Sequence, residues 1–366
     1  MAAPIPILLM VRELNLGGTE RQLAEVAKAL DRRRFDPRVG CFRPAGLRGE
    51  ELRAAGVPIV HFPVPSLASV KGAPRIAAYL REQGIRLVHT FDTPANIYGV
   101  PSARMAGAAV VISSQRAHRG LVPAHYRHAL RLTDRMVDGV VVNCEFVRRH
   151  LVDDEKVPPG LIRLCYNGID TSVFFPVRVT RPEALRDASL VIGTVSVLRP
   201  EKSLATLLEA FAVCRRAQPG TKLAIVGSGP CLPDLQARAA TLGILPDCIF
   251  QPATPQVAQW LRSIDIFAQP SISEALSNSL MEAMACGCPV AATRVGGNPE
   301  LVTHGETGML FDPGDAEALA RLLRQLVSDP ALRAMLGAHA ASRIRERFSV
   351  ETSAARMAEI YTELLG

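Results

Sequence analysis

Long apolar runs are missing from this chain of 366 residues: stretches such as Ile5–Val11 fall far short of the roughly 20 residues that cross a bilayer, which excludes a transmembrane helix. No basic leader precedes that run, and Arg12 and Glu13 follow it where a secretory signal would place a small-residue cleavage site. The expectation is therefore a cytoplasmic protein whose mature chain begins here. Aromatic residues are scarce, at 5% with a single tryptophan, too few to interleave with the arginines as base stacking requires, so nucleic acid is not an expected partner. The eight cysteines (41, 144, 165, 214, 231, 248, 286 and 288) include no CxxC and no zinc-cage spacing, and read as reduced, buried thiols. Two nucleotide signatures are also absent. No GxxxxGK[ST] occurs, and Gly227-Ser-Gly-Pro-Cys-Leu232 lacks the closing glycine of GxGxxG, which argues against a P-loop and against a nicotinamide dehydrogenase.

What is present is rhythm. Short apolar runs at Ile5–Val11, Pro37–Phe42, Pro58–Phe62, Leu87–His89, Ala109–Ser113, Gly139–Asn143 and Leu161–Tyr166 read as strands. Helical spacing fills the intervals at Glu20–Leu30, Leu47–Ala55, Ala73–Glu82, Thr93–Ala106 and Ala124–Val137. The pattern pauses over Asn167–Ala188, then restarts with strand Leu190–Ser196 and helix Lys202–Ala217. Three strand–helix steps and a further strand, Pro289–Thr293, follow before three helices close the chain at Ala316–Val327, Pro330–Arg347 and Glu351–Leu365. Alternation of this kind predicts an α/β protein of two doubly wound, Rossmann-like parallel sheets, with a ligand cleft where they face each other. Charge divides with the halves. Residues 1–175 hold 24 basic and 16 acidic side chains against 18 and 19 in the remainder, so the first half favours an anionic partner.

The richest segment is Gln269–Gly297. A strand ends at Gln269, Glu274 lies in the following loop, and Ser277 is placed to cap a helix that carries Glu282. A helix amino end presents unpaired N–H groups and positive partial charge, so Leu276, Ser277, Asn278 and Ser279 read as a phosphate seat, with Ala275 beside them as a donor-binding residue. Glu274 and Glu282 on either side would accept hydrogen bonds from hydroxyl-rich groups, a sugar at one and a ribose at the other. A second segment, Gly193–Lys202, leaves a strand and presents Arg199 and Lys202, cations suited to a diphosphate whose charge grows as it departs. Gly17 and Gly18, after the first strand, would let backbone approach a ligand.

These residues resemble a known family. Glu274 through Gly297, with glutamates eight apart followed by Met-Glu-Ala-Met-Ala-Cys-Gly-Cys-Pro-Val and Gly-Gly-Asn-Pro-Glu-Leu-Val, is similar to the donor-site signature of family 4 glycosyltransferases, the retaining group of the GT-B fold. Gly17-Gly18-Thr19-Glu20 resembles the family's amino-terminal glycine loop, Asn167-Gly168-Ile169-Asp170 its hinge, and Arg199 with Lys202 its diphosphate pair. The resemblance implies transfer of a sugar from a nucleotide diphosphate, UDP or GDP, with retained configuration and no cofactor or metal; no DxD motif is present to hold one. It also implies an acceptor-side domain over 1–170, a connector over 171–188, a donor domain over 189–348, and a last helix, 349–366, that packs back on the first domain. Base recognition falls to Phe250–Thr254, with Phe250 and Gln251 its first residues.

In one place the chain departs from that pattern. Gln115 stands where many relatives carry a histidine near the sugar's C6 hydroxyl, with Arg116 and His118 as neighbouring substitutes. Arg116, Arg119, Arg127, Arg131 and Arg135 run from this loop along a predicted helix and read as a basic stripe for an anionic membrane surface or lipid-diphosphate acceptor. The functional expectation is a glycosyltransferase acting on a glycan or lipid-linked acceptor in cell-surface polysaccharide or glycolipid synthesis, peripheral to the inner face of the membrane. A nucleotide-sugar epimerase or hydrolase, or a catalytically silent nucleotide-sugar-binding subunit, would use the same seat.

Overall fold

The computed structural model describes residues 3–15, 17–64, 72–177 and 179–366. Leu16 of the glycine loop and Arg178 of the connector lie outside them. Two units emerge: residues 1–168 with Val350–Gly366, and residues 169–349.

In the first unit, seven strands form one parallel sheet: β1 (Ile5–Val11), β2 (Phe35–Cys41), β3 (Ile59–His61), β4 (Leu87–Thr90), β5 (Val110–Gln115), β6 (Gly139–Val142) and β7 (Ile162–Leu164), in the order β3-β2-β1-β4-β5-β6-β7. Their near-continuous Val/Ile/Leu content suits strands covered on both faces. The helices are α1 (Gly18–Ala29), α2 (Leu47–Ala54), α3 (Gly72–Glu82), α4 (Thr93–Ala106), α5 (Ala124–Asp134) and α6 (Glu145–Asp153). The sequence reading passed over α6. On one face, Ile7, Leu9 and Val11 of β1 join Leu23 and Val26 of α1 and Met357, Ile360 and Tyr361 from the chain's carboxyl-terminal helix in one buried cluster.

The second unit repeats the plan with six strands: β8 (Leu190–Val195), β9 (Thr221–Val226), β10 (Cys248–Gln251), β11 (Ile266–Gln269), β12 (Val290–Thr293) and β13 (Met309–Phe311), ordered β10-β9-β8-β11-β12-β13. Its helices are α7 (Leu204–Ala217), α8 (Leu232–Thr241), α9 (Val257–Arg262), α10 (Asn278–Ala285), α11 (Asn298–Leu301), α12 (Ala316–Ser328) and α13 (Pro330–Arg347); α14 (Val350–Leu365) belongs to the first unit. Strand β13 and the one-turn α11 were absent from the sequence reading. Each sheet reverses its order once, between β1 and β4 and between β8 and β11. Such open sheets bind ligands at the carboxyl ends of the strands beside that reversal.

Candidate donor site

Strands β8 and β11 each release a loop at the second unit's reversal point. The loop after β8 ends in a 3-10 turn, Pro200–Lys202, and Ser203 adopts a left-handed backbone (φ 48°, ψ 40°) before α7 begins. A non-glycine residue there stores strain of about 1–3 kcal/mol, typical of a held functional turn. The Ile272 N–H, in the loop after β11, donates to the Glu201 carbonyl (2.9 Å) and ties the two loops together. The loop after β8 is braced from its other side by Gly227-Ser228-Gly229. A Cβ on Gly227 would meet the Ser196 carbonyl, and one on Gly229 the Leu198 carbonyl, while Leu198 N–H donates to Ser228 O (3.0 Å). These glycines thus serve strand-loop contact.

The bracing brings Lys202 onto Glu274. One carboxylate oxygen, Oε1, accepts from Lys202 Nζ (2.7 Å), Gln269 Nε2 (2.8 Å) and Ser271 Oγ (2.8 Å). Among the described residues, none donates to Oε2. Gln269 also donates to Ser277 Oγ (2.6 Å), and Ser277 caps α10 by accepting from the Leu280 N–H (3.3 Å). Because a carboxylate only accepts, the Gln269 amide must face it with nitrogen. That orientation leaves Gln269 Oε1 buried with no hydrogen-bond partner among the described residues. Gly296 closes the floor at φ 55°, and a Cβ there would run into the Glu274 carbonyl; the Gly297 N–H donates to Ala275 O (2.6 Å). Glu282 is buried within α10, and Leu276 is buried beside the cap.

Other expected residues fall elsewhere. Arg199 is 61% exposed at its side chain and, among the described residues, approaches one carboxylate, Glu201, at 4.0 Å, so the cation pair is split between solvent and Glu274. Gly193 lies inside β8, where a Cβ would strike Ile264 and the Ala224 carbonyl, so packing accounts for it. In the Phe250–Thr254 segment, two backbone groups are already engaged: Gln251 O accepts from Gly227 N–H (2.8 Å) and Ala253 N–H donates to Ser228 Oγ (3.0 Å). Phe250 and Gln251 themselves are partly buried on β10. Asn278 is the first residue of α10. Sequence reasoning missed Gln269 and Ser271 as members of the site.

In the first unit, Glu20 folds back over Gly17, whose hydrogen is all its carboxylate leaves room for. The amino end of α1 at Gly18 therefore faces a carboxylate of its own chain where backbone was expected to approach a ligand. Burial raises the Glu20 carboxyl above its ordinary range. Asp92 caps α4 and holds the reversal point, accepting from Ala95 N–H and Arg12 N–H (2.8 Å each), and burial pushes its carboxyl up to about 6. Gln115 is also committed internally, with Nε2 donating to Ala117 O (2.8 Å) and Oε1 accepting from Arg119 Nε (3.3 Å).

The expected basic stripe lies only partly on the surface, with Arg131 and Arg135 exposed and Arg127 half-buried. Arg119 is 1% exposed and bidentate to Asp134 (2.7 and 2.9 Å), Arg131 pairs with Glu155 (2.8 Å), and Arg116 turns inward to Asn167 Oδ1 (2.7 Å). His118, His150 and Asp154 have metal-ligand proximity, but the two imidazoles stack at 3.6 Å, so their lone pairs run alongside instead of converging. His150 Nε2 accepts from Arg119 N–H and Nδ1 bonds Asp154 (2.6 Å), which leaves that ring no lone pair for an ion. All eight cysteines are free thiols, six of them buried. Among the described residues no helix is long and apolar enough to cross a membrane.

The described geometry can be set beside known proteins. Residues 179–343 match the model of glycosyl transferases group 1, and residues 16–173 match that of glycosyltransferase family 4. A GDP-mannose-dependent α-(1-6)-phosphatidylinositol monomannoside mannosyltransferase of Mycolicibacterium smegmatis is 31% identical over 284 residues, 71% of this chain and 72% of that protein. The chain belongs to the group 1 glycosyltransferases. A D-inositol 3-phosphate glycosyltransferase of Thermobispora bispora is 30% identical over 77% of this chain and 66% of its own length. An N-acetyl-α-D-glucosaminyl L-malate synthase of Bacillus anthracis is 31% identical over 58% of this chain and 56% of its own. Among solved structures, Anabaena HepE in complex with UDP aligns with a TM-score of 0.85 at 22% identity, covering 98% of this chain and 100% of that one. Sucrose-phosphate synthase from Thermosynechococcus elongatus gives 0.82 at 20% identity, over 98% and 99%. The glycosyltransferase thus has the GT-B fold.

Proposed function

We propose that this glycosyltransferase binds its donor, a UDP or GDP sugar, at the carboxyl edge of the second unit's sheet and transfers the sugar with retained configuration and without a resident metal. The observation that carries the reading is the network joining Lys202, Glu274, Gln269 and Ser277 at the sheet's reversal point. Glu274 holds one oxygen under three donors and keeps Oε2 for a sugar hydroxyl. Lys202 spends one of its three N–H bonds on that carboxylate, which leaves two for a phosphate. The capped amino end of α10 adds amide hydrogens and positive partial charge to the same place. Arg199, exposed on the same loop, is available to the diphosphate. As the glycosidic bond breaks, negative charge grows on the departing nucleotide diphosphate, and fixed cations with oriented amides can stabilise that charge as a metal ion does elsewhere.

The acceptor reading draws on the relatives' names. Those acceptors are a phosphatidylinositol mannoside, an inositol phosphate and malate, each with a phosphate or carboxylate. We extend this to an acceptor bearing an anionic group, soluble or lipid-linked, within cell-surface glycan or glycolipid assembly. The test is a binding panel of UDP, GDP and ADP sugars read by thermal shift, followed by product analysis with a chelator present. One nucleotide family should stabilise the protein by about 2.7 kcal/mol at a hundred times its Kd. Absence of binding across the panel would remove the donor assignment, and an absolute requirement for magnesium or manganese would remove the metal-free one.

A further inference from the structure

Two inward-turned arginines stand three residues apart after β5, and they are treated oppositely. Arg119 is neutralised by Asp134 on both guanidinium arms, with Glu155 at 3.8 Å. Arg116 has no carboxylate within ion-pair distance among the described residues. Among the described residues its side chain makes one hydrogen bond, from Nη1 to the neutral Asn167 side chain, and its Nε is buried with no acceptor. The guanidinium lies over the Phe91 ring, 5.0 Å from the centroid. Its charged neighbourhood is equally bare: the groups felt there are the Cys165 thiol and the Tyr361 hydroxyl, both protonated at neutral pH, and burial lowers the guanidinium to about 10. Nearby His89, hydrogen-bonded to Tyr361 and Ser114 (2.8 Å each), is held neutral by burial and by Arg116 itself.

A half-buried guanidinium whose Nε is closed off from solvent, and which has no counter-charge beside it, carries an uncompensated desolvation cost. A bound oxyanion would supply the missing counter-charge. Arg116 is placed for that, because it follows β5 at the carboxyl edge of the sheet, next to β4 at the reversal point, where an open α/β sheet receives ligands. A planar fork with an unused Nε suits two oxygens of one oxyanion. The donor's phosphates already have Lys202, Arg199 and the α10 amino end in the other unit.

We propose that Arg116 is the seat for an oxyanion, phosphate or carboxylate, carried by the acceptor. This rests on the glycosyltransferase reading above and deepens it: the acceptor class is anionic, and its charge is read by one residue of the first unit.

The test compares wild type with Arg116→Met and Arg116→Lys, using Arg135→Ala, an exposed arginine of the expected stripe, as the control. Inorganic phosphate, glycerol 3-phosphate and glycerol are titrated at constant ionic strength, and UDP and GDP binding is measured alongside. Phosphate and glycerol 3-phosphate should raise the melting temperature of wild type and of Arg135→Ala, whereas glycerol should not. Arg116→Met should lose that response by at least about tenfold in apparent affinity. It should also melt no lower than wild type without anion, because it removes an uncompensated charge. Arg116→Lys should keep a weakened response. Nucleotide affinity should stay unchanged in every variant.

Four outcomes overturn the proposal. They are no phosphate response in wild type, a response that survives in Arg116→Met, a parallel loss of nucleotide affinity that assigns Arg116 to the donor, and an Arg116→Met protein that unfolds while Arg116→Lys restores stability with the phosphate response undiminished. Failure of every nucleotide to bind wild type sinks the donor reading instead, and it is scored separately from the phosphate arm.

Discussion

In the first unit the sheet reverses between β1 and β4, and that point is closed from within: Asp92 takes the Arg12 and Ala95 amides, and the Glu20 carboxylate lies over Gly17 at the amino end of α1. In the second unit the reversal lies between β8 and β11, and the corresponding carboxylate, Glu274, is held on one oxygen by Lys202, Gln269 and Ser271 with the other left over. The helix beside it, α10, is capped by a neutral serine. Both edges derive from one topology, yet the helix amino end meets a carboxylate of its own chain at the first and a neutral serine cap at the second. Topology supplies a place for a ligand at each edge, and the sign of a few side chains decides what can lie there.

The largest effect should come from breaking the second edge. Lys202→Ala should lower turnover on the preferred nucleotide sugar at least about a hundredfold, as loss of one preorganised charge contact commonly does, with cooperative melting retained. Turnover close to wild type would show that the lysine serves only to neutralise Glu274. A smaller loss, about tenfold, is expected for Gln269→Leu, because Glu274 then keeps two of its three restraints and Ser277 keeps its cap. Its signature should be a fall in kcat with little change in the acceptor KM. A reduced melting temperature with unaltered kcat would make Gln269 a packing residue. Together the two variants rank charge against positioning at one carboxylate.

Much of this arrangement was legible before any coordinates. β1 and α4 lie within the bounds their apolar periodicity implies, and α4 continues through Pro101. Glu274, Ser277 and Lys202 carry the donor-site pattern in their own residue types and spacing. Gln269 and Ser271 do not, because a glutamine ending a strand and a serine in a loop are ordinary until burial and a shared acceptor reveal them. α6 was missed because Phe146, Val147 and Leu151 are thinly spread among charged neighbours. The arginines after β5 were misread for a related reason. Composition reports charge, but it cannot report that Asp134 and Glu155 neutralise Arg119 while Arg116 goes without. Likewise, Gly193 looks like a ligand-facing glycine in sequence and proves to be one that Ile264 crowds.

The smallest expected effect bears on the closed edge. Burial raises the carboxyl of Glu20, and that of Asp92 to about 6, with the Glu20 charge adding to the upward shift of Asp92. A raised carboxyl favours the folded state in its protonated form. That contribution is fully present below the ordinary carboxyl pKa near 4 and is lost as the pH rises through the folded value. Stability should therefore decline from about pH 4 to pH 7 by an amount these two groups share. Glu20→Gln keeps the shape and removes the charge, so it should flatten that decline and stabilise the protein at neutral pH by a few tenths to about 1 kcal/mol, measured by urea unfolding across the range. Nucleotide affinity should not move, since the donor edge lies in the other unit's residues. A pH profile unchanged by Glu20→Gln would show that the carboxylate at α1 is solvated and the edge open. A several-fold gain in nucleotide affinity would go further and make Glu20 the residue that keeps a second phosphate seat shut.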